Sequence, residues 1–79
     1  MEKAEIASAM DDTVEAIRVA ITSQRKYAAA AIAARDARLP FMARVMTIEA
    51  RTARKVANIE TRYFEQLQRM AIYASYNIT

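Results

Sequence analysis

Ile6, Met10, Val14, Ile17, Ile21, Ala28, Ile32 and Leu39 recur along the first half of the chain at spacings of three, four and seven. At 100° per residue they fall within roughly 80° of one another, the narrow stripe of an amphipathic helix. In the second half Phe41, Val45, Ile48, Val56, Ile59, Tyr63, Leu67 and Met70 share a face, which Met42, Met46, Ala53, Phe64 and Ala71 widen. That arc spans roughly 160°, more than one partner helix covers, so the second helix is expected to touch at least two others. The pattern predicts helix one over about residues 2–38 and helix two over about residues 40–77, within a single helical domain of 79 residues.

Punctuation between the two stretches is sparse. The chain has no glycine and one proline, Pro40, near its midpoint. Glycine supplies the positive-φ positions of turns and helix ends, so a chain without it has few bends to make. Pro40 disfavours helical backbone at Leu39 and suits the first position of a second helix. Two architectures follow: an antiparallel helical hairpin turning near Pro40, or one long helix kinked there. Folding back brings both apolar faces together and favours the hairpin, although no Gly or Asn marks the turn. The helix-one start is open: Ser8 or Asp12 suits a cap, Asp12-Thr13-Val14-Glu15 reads as a loose capping box, and residue 2 serves equally. Asn77 suits the end of helix two.

Polar residues interrupt both faces, Gln24 and Arg35 on helix one, Glu49 and Glu60 on helix two. A buried charge needs a partner. Arg35 with Glu49 and Gln24 with Glu60 fit one common antiparallel register, which also aligns Ile6 with Ile78, Val14 with Met70, Ile17 with Leu67, Ile21 with Tyr63 and Ala28 with Val56. The expectation is that these two polar pairs cross between the helices and set their alignment. Around Ala28–Ala34 the helix is small or apolar on every side, which suits close approach of neighbouring backbones.

Composition strengthens the helical reading. Alanine occurs 18 times, and most of the remaining chain is drawn from good helix formers. So short a chain buries little surface alone, and it has no cysteine for a disulfide staple. Completion of the hairpin by oligomerisation is therefore expected. The N-terminal residues are mixed in charge, unlike a signal peptide, and the charge-free runs, such as Tyr27–Ala34, are too short to span a bilayer. The expected location is the cytoplasm or a virus particle.

Charge is unevenly distributed. The overall excess is +3, yet residues 1–17 hold five acidic groups against Lys3, and residues 18–55 hold nine cations against Asp36 and Glu49. Helix two carries a basic stripe, Arg44, Arg51, Lys55, Arg62 and Arg69, within roughly 40° on the helical wheel. Such a row suits phosphates of nucleic acid, acidic headgroups of a membrane surface, or the acidic segment of another copy. It also suits plain solvation. No aromatic side chain interleaves with it for base stacking.

Catalytic chemistry has little to work with. Histidine and cysteine are absent, which removes the commonest general base, nucleophile and metal ligands. Glu49 and Glu60 lie about 16 Å apart along a helix, too far for a carboxylate dyad. No cofactor, metal or small-molecule substrate is expected. The tail Met70–Ile78 is apolar on most sides, and tyrosines there suit a protein contact. The sequence therefore predicts a non-enzymatic assembly protein, a hairpin subunit of a homo-oligomer, filament or virus-particle substructure. Phe41, Ile48, Phe64, Ile72, Tyr73 and Tyr76 are its expected contact residues. The competing function is a dimeric bundle that binds nucleic acid through the basic stripe.

Overall fold

The computed structural model describes residues 2–76, folded as two long antiparallel α-helices in contact along their length. Helix α1 runs Lys3–Asp36 and helix α2 runs Pro40–Tyr76. Together they make a rod with a Cα envelope of 65 × 14 × 12 Å. The hairpin forms and the kinked single helix does not. Asn77 and Ile78, expected at the end of α2 and opposite Ile6, lie outside the described residues.

Helix α1 starts at neither Ser8 nor Asp12. Glu2 is the N-cap, with extended backbone and no side-chain cap, and its carbonyl accepts from the Ile6 amide at 2.9 Å. The Glu5 carboxylate in the first turn and the Arg35 guanidinium in the last both complement the helix dipole. Thr13, read from the sequence as part of a loose cap, sits inside the helix and donates its hydroxyl to the Ala9 carbonyl at 2.6 Å. Thr47, Thr52 and Thr61 donate in the same way to the carbonyl four residues back. Each hydroxyl is thereby satisfied within its own helix.

The turn is three residues long. Ala37 caps α1, and Arg38 takes a positive φ of 60°. The Arg38 amide donates to the Arg35 carbonyl at 3.0 Å, and the Leu39 amide donates to the Ala34 carbonyl at 2.8 Å. This paired closure is the left-handed helix stop that glycine usually provides. Leu39 then opens α2, its carbonyl accepting from the Ala43 amide at 3.0 Å. Pro40 follows as the first helical residue, where its missing N–H costs nothing.

The two helices meet on small side chains. Buried or half-buried positions on α1 include Ile6, Thr13, Ala16, Ala20, Ser23, Ala30 and Ala34. On α2 they include Ala43, Ala50, Ala53, Ala57, Phe64 and Leu67. Among the described residues, large side chains are fully enclosed only near the open end, where Ile6 and Leu67 are 2% and 1% exposed. The contact seam of α1 is thus rotated from the stripe expected from its sequence. Val14, Ile21 and Ile32 of that stripe stand exposed. Alanine faces win because they let two backbones approach closely along many turns, which the branched residues would prevent.

The register differs from the expected one by about one heptad. One groove brings Glu60 and Tyr63 beside Asp12, Thr13 and Ala16. A second brings Arg35 beside Ala43 and Arg44. Arg35 and Glu49 therefore lie about 10 Å out of step along the axis, as do Gln24 and Glu60. Neither pair forms: among the described residues the ion pair is Arg18 with Glu15, within α1 and exposed to solvent. Gln24 and Glu60 are half-buried, while Arg35 and Glu49 are exposed. The physical reason is the turn. Facing residues must be equidistant from it, and a three-residue turn at Ala37–Leu39 leaves no slack for a register centred about four residues later, which would shift every facing partner by about one heptad. No buried side-chain polar atom among the described residues lacks a hydrogen-bond partner.

Candidate self-association surface

The exposed apolar residues of α2 follow a repeat of their own. Met42, Val45, Glu49, Thr52, Val56, Ile59, Tyr63, Gln66, Met70 and Tyr73 alternate at spacings of three and four. This is the heptad pattern by which helices pack in coiled coils. It lies beside the alanine seam and outside it. Val45 is half-buried, and every other member is exposed. Ile59 is 64% exposed and Tyr73 is 73% exposed, values far from those of core side chains. Val19 of α1 extends the surface, lining the same shallow groove as Val56.

The amount of uncovered surface is large for the mass. A compact monomer of this size exposes about 4,800 Å². This 8.9 kDa chain exposes 6343 Å². A standard protein–protein interface covers about 800 Å² on each partner, so the excess, of order 1,500 Å², is ample for one. Part of that excess comes from the rod shape itself, which is what leaves long faces available.

The residues expected to make oligomer contacts divide in two. Phe41, Ile48, Ile72, Tyr73 and Tyr76 are all exposed. Phe64 is half-buried, on the heptad that runs through Ala57 and Ala71 in the hairpin seam, so the fold itself uses it. Missing from that expectation were Met42, Val56, Ile59, Tyr63 and Met70 as an uncovered seam. The breadth of the apolar arc on helix two was the signal that revealed two seams. Which one the hairpin takes depends on the turn.

The basic stripe is intact. Arg44, Arg51, Lys55, Arg62 and Arg69 are exposed and none is ion-paired among the described residues. Hairpin formation adds Arg35 to it. The Arg35, Arg44 and Arg51 side chains line one open cleft near the turn together with Ala28, Ala31, Ile32, Ala43, Thr47 and Ile48. Tyr63 and Val56 belong to the grooves on the opposite side of the seam, so apolar ridge and basic cleft occupy different faces of the rod.

Among the described residues no group of three or more His, Cys, Asp or Glu side chains is placed to hold a metal ion, and no helix is long and apolar enough to cross a membrane. No family model, curated protein or solved structure matches the chain. The class that fold and surface define is a small all-helical hairpin with an uncovered apolar seam.

Proposed function

We propose that this protein is a non-catalytic assembly subunit, a helical hairpin whose work is to associate with further copies of itself. The observation that carries this reading is the continuous heptad seam on α2, left open to solvent by a hairpin that closes on alanines. Six of its ten positions are exposed large apolar or aromatic side chains: Met42, Val56, Ile59, Tyr63, Met70 and Tyr73. Covering such a row is worth about 1.5–3 kcal/mol for each large side chain fully buried. Membership of a filament or virus particle would use the same surface.

Light scattering over a range of concentrations tests it. The wild-type chain should show at least twice the mass of one copy, and Val56→Glu with Ile59→Glu should reduce this to a single copy that is still helical by circular dichroism. A wild-type chain that stays single at the highest concentration would rule out the reading.

A second reading rests on the cleft formed by Arg35, Arg44 and Arg51, with Lys55, Arg62 and Arg69 continuing the row. Unpaired guanidinium groups contributed by two helices suit the phosphates of nucleic acid. Affinity for a duplex should then fall steeply with salt, and Arg44→Gln with Arg51→Gln should flatten that slope by about two ions. Absence of binding at low salt removes this reading and leaves the assembly proposal untouched.

A further inference from the structure

The exposed seam of α2 reads nearly the same in both directions. Apolar pairs stand at its ends and centre: Met42 and Val45, Val56 and Ile59, Met70 and Tyr73. Between them lie two interruptions, Glu49 with Thr52 and Tyr63 with Gln66. A pattern that reverses onto itself is what a two-fold axis across the rod requires. Placing that axis between Val56 and Ile59 sets Met42 against Tyr73 of the other copy, Val45 against Met70, and Val56 against Ile59. The same alignment sets Glu49 against Gln66 and Thr52 against Tyr63, so the polar groups meet polar groups. A parallel alignment instead sets Glu49 against Glu49, two like charges at a contact.

The fold supplies an independent argument for the same orientation. By bringing the middle of the chain to one end, the hairpin sorts the charges along the rod. The turn half, residues 25–55, carries eight cations against Asp36 and Glu49. The open half, residues 2–18 and 58–76, carries four cations against seven acidic groups. Antiparallel neighbours place each basic half on an acidic half, whereas parallel neighbours place basic on basic.

We propose, resting on the assembly reading above, that the occupant of the α2 seam is the α2 seam of a second copy, running antiparallel, so that two hairpins form a four-helix bundle with their turns at opposite ends. Charge selects the direction and the apolar pairs supply the adhesion. The Arg35–Arg44–Arg51 cleft stays on the outer surface of that bundle.

A distance measurement between spin labels tests the orientation. The chain has no cysteine, so Ala37→Cys, at an exposed turn position of ordinary φ, provides one label per copy. In the antiparallel bundle the two labels sit about 60 Å apart, since some forty residues of helix separate them at 1.5 Å each. Light scattering on the same sample reports the mass. A mass of two copies or a multiple, with the long distance, is the expected result. A doubled mass with a distance below about 25 Å overturns the orientation and leaves self-association standing. A single-copy mass with no distance between molecules overturns both. Raising the salt should lower the doubled mass at the most dilute concentrations, because the charge term is screened. Association indifferent to salt removes charge as the selector of direction.

Discussion

The Leu39 amide donates to the Ala34 carbonyl at 2.8 Å, spanning a single left-handed residue, Arg38, at φ 60°. This bond closes α1 and aims α2 back along it. Because the turn is so short, it also dictates which residues of the two helices face each other.

Arg38 holds a conformation that costs a non-glycine residue about 1 kcal/mol. Arg38→Gly should therefore raise stability by about that amount, after allowance for the freer unfolded chain. Urea denaturation at a fixed protein concentration measures it. Arg38→Val, branched next to the backbone, should instead destabilise, and equal midpoints for the two variants would show that the turn is not under this constraint.

The seam is built for small side chains. Ala57 is buried, and Ala57→Leu should cost about 1–3 kcal/mol by forcing the helices apart. Leu67 is the most deeply buried large side chain, and Leu67→Ala should cost about 2–5 kcal/mol through the cavity left behind. Thermal melts followed by circular dichroism read both. A stabilised Ala57→Leu protein would mean that the alanine face is not the contact.

Thr13 is buried to 3% exposure, and its hydroxyl bonds only to the Ala9 carbonyl of its own helix. That carbonyl keeps its ordinary helical partner when the hydroxyl is removed. Thr13→Val should accordingly change stability by less than about 1 kcal/mol. Thr13→Asp would bury a charge without a partner and should cost more than about 2 kcal/mol. Chemical denaturation of the two variants side by side distinguishes a packing site from a polar one.

Glu49 is exposed in the hairpin and stands on the α2 seam. Glu49→Leu should strengthen self-association while weakening its directional choice, since a parallel alignment then loses its like-charge clash. Sedimentation should show a lower dissociation constant, and the turn label should gain a short-distance population beside the long one. A variant that associates more weakly than wild type would place Glu49 in a favourable contact instead.

Much of this protein was legible before folding. Helix existence, the two-element count and the turn near Pro40 follow from local preferences that the residues carry with them: alanine-rich periodic stretches, no glycine, one proline. The excess width of the apolar arc on helix two likewise announced apolar surface beyond what one hairpin covers, because periodicity records how much surface is greasy. Periodicity does not record which partner covers it. Large side chains such as Val14, Ile21 and Ile32 looked like the core of the hairpin and are exposed, while Ala20, Ala34 and Ala57 are buried.

Register was the other decision left to the tertiary structure. Arg35 with Glu49 and Gln24 with Glu60 were chemically sensible pairs, and sequence offered no means of rejecting them. Counting outward from a three-residue turn rejects them, since a backbone that reverses over Ala37, Arg38 and Leu39 has only one alignment within reach. Local chemistry determined that there would be two helices and where they would break. The geometry of the reversal, together with the closeness that alanine permits, determined which faces met and left the α2 heptads to the solvent.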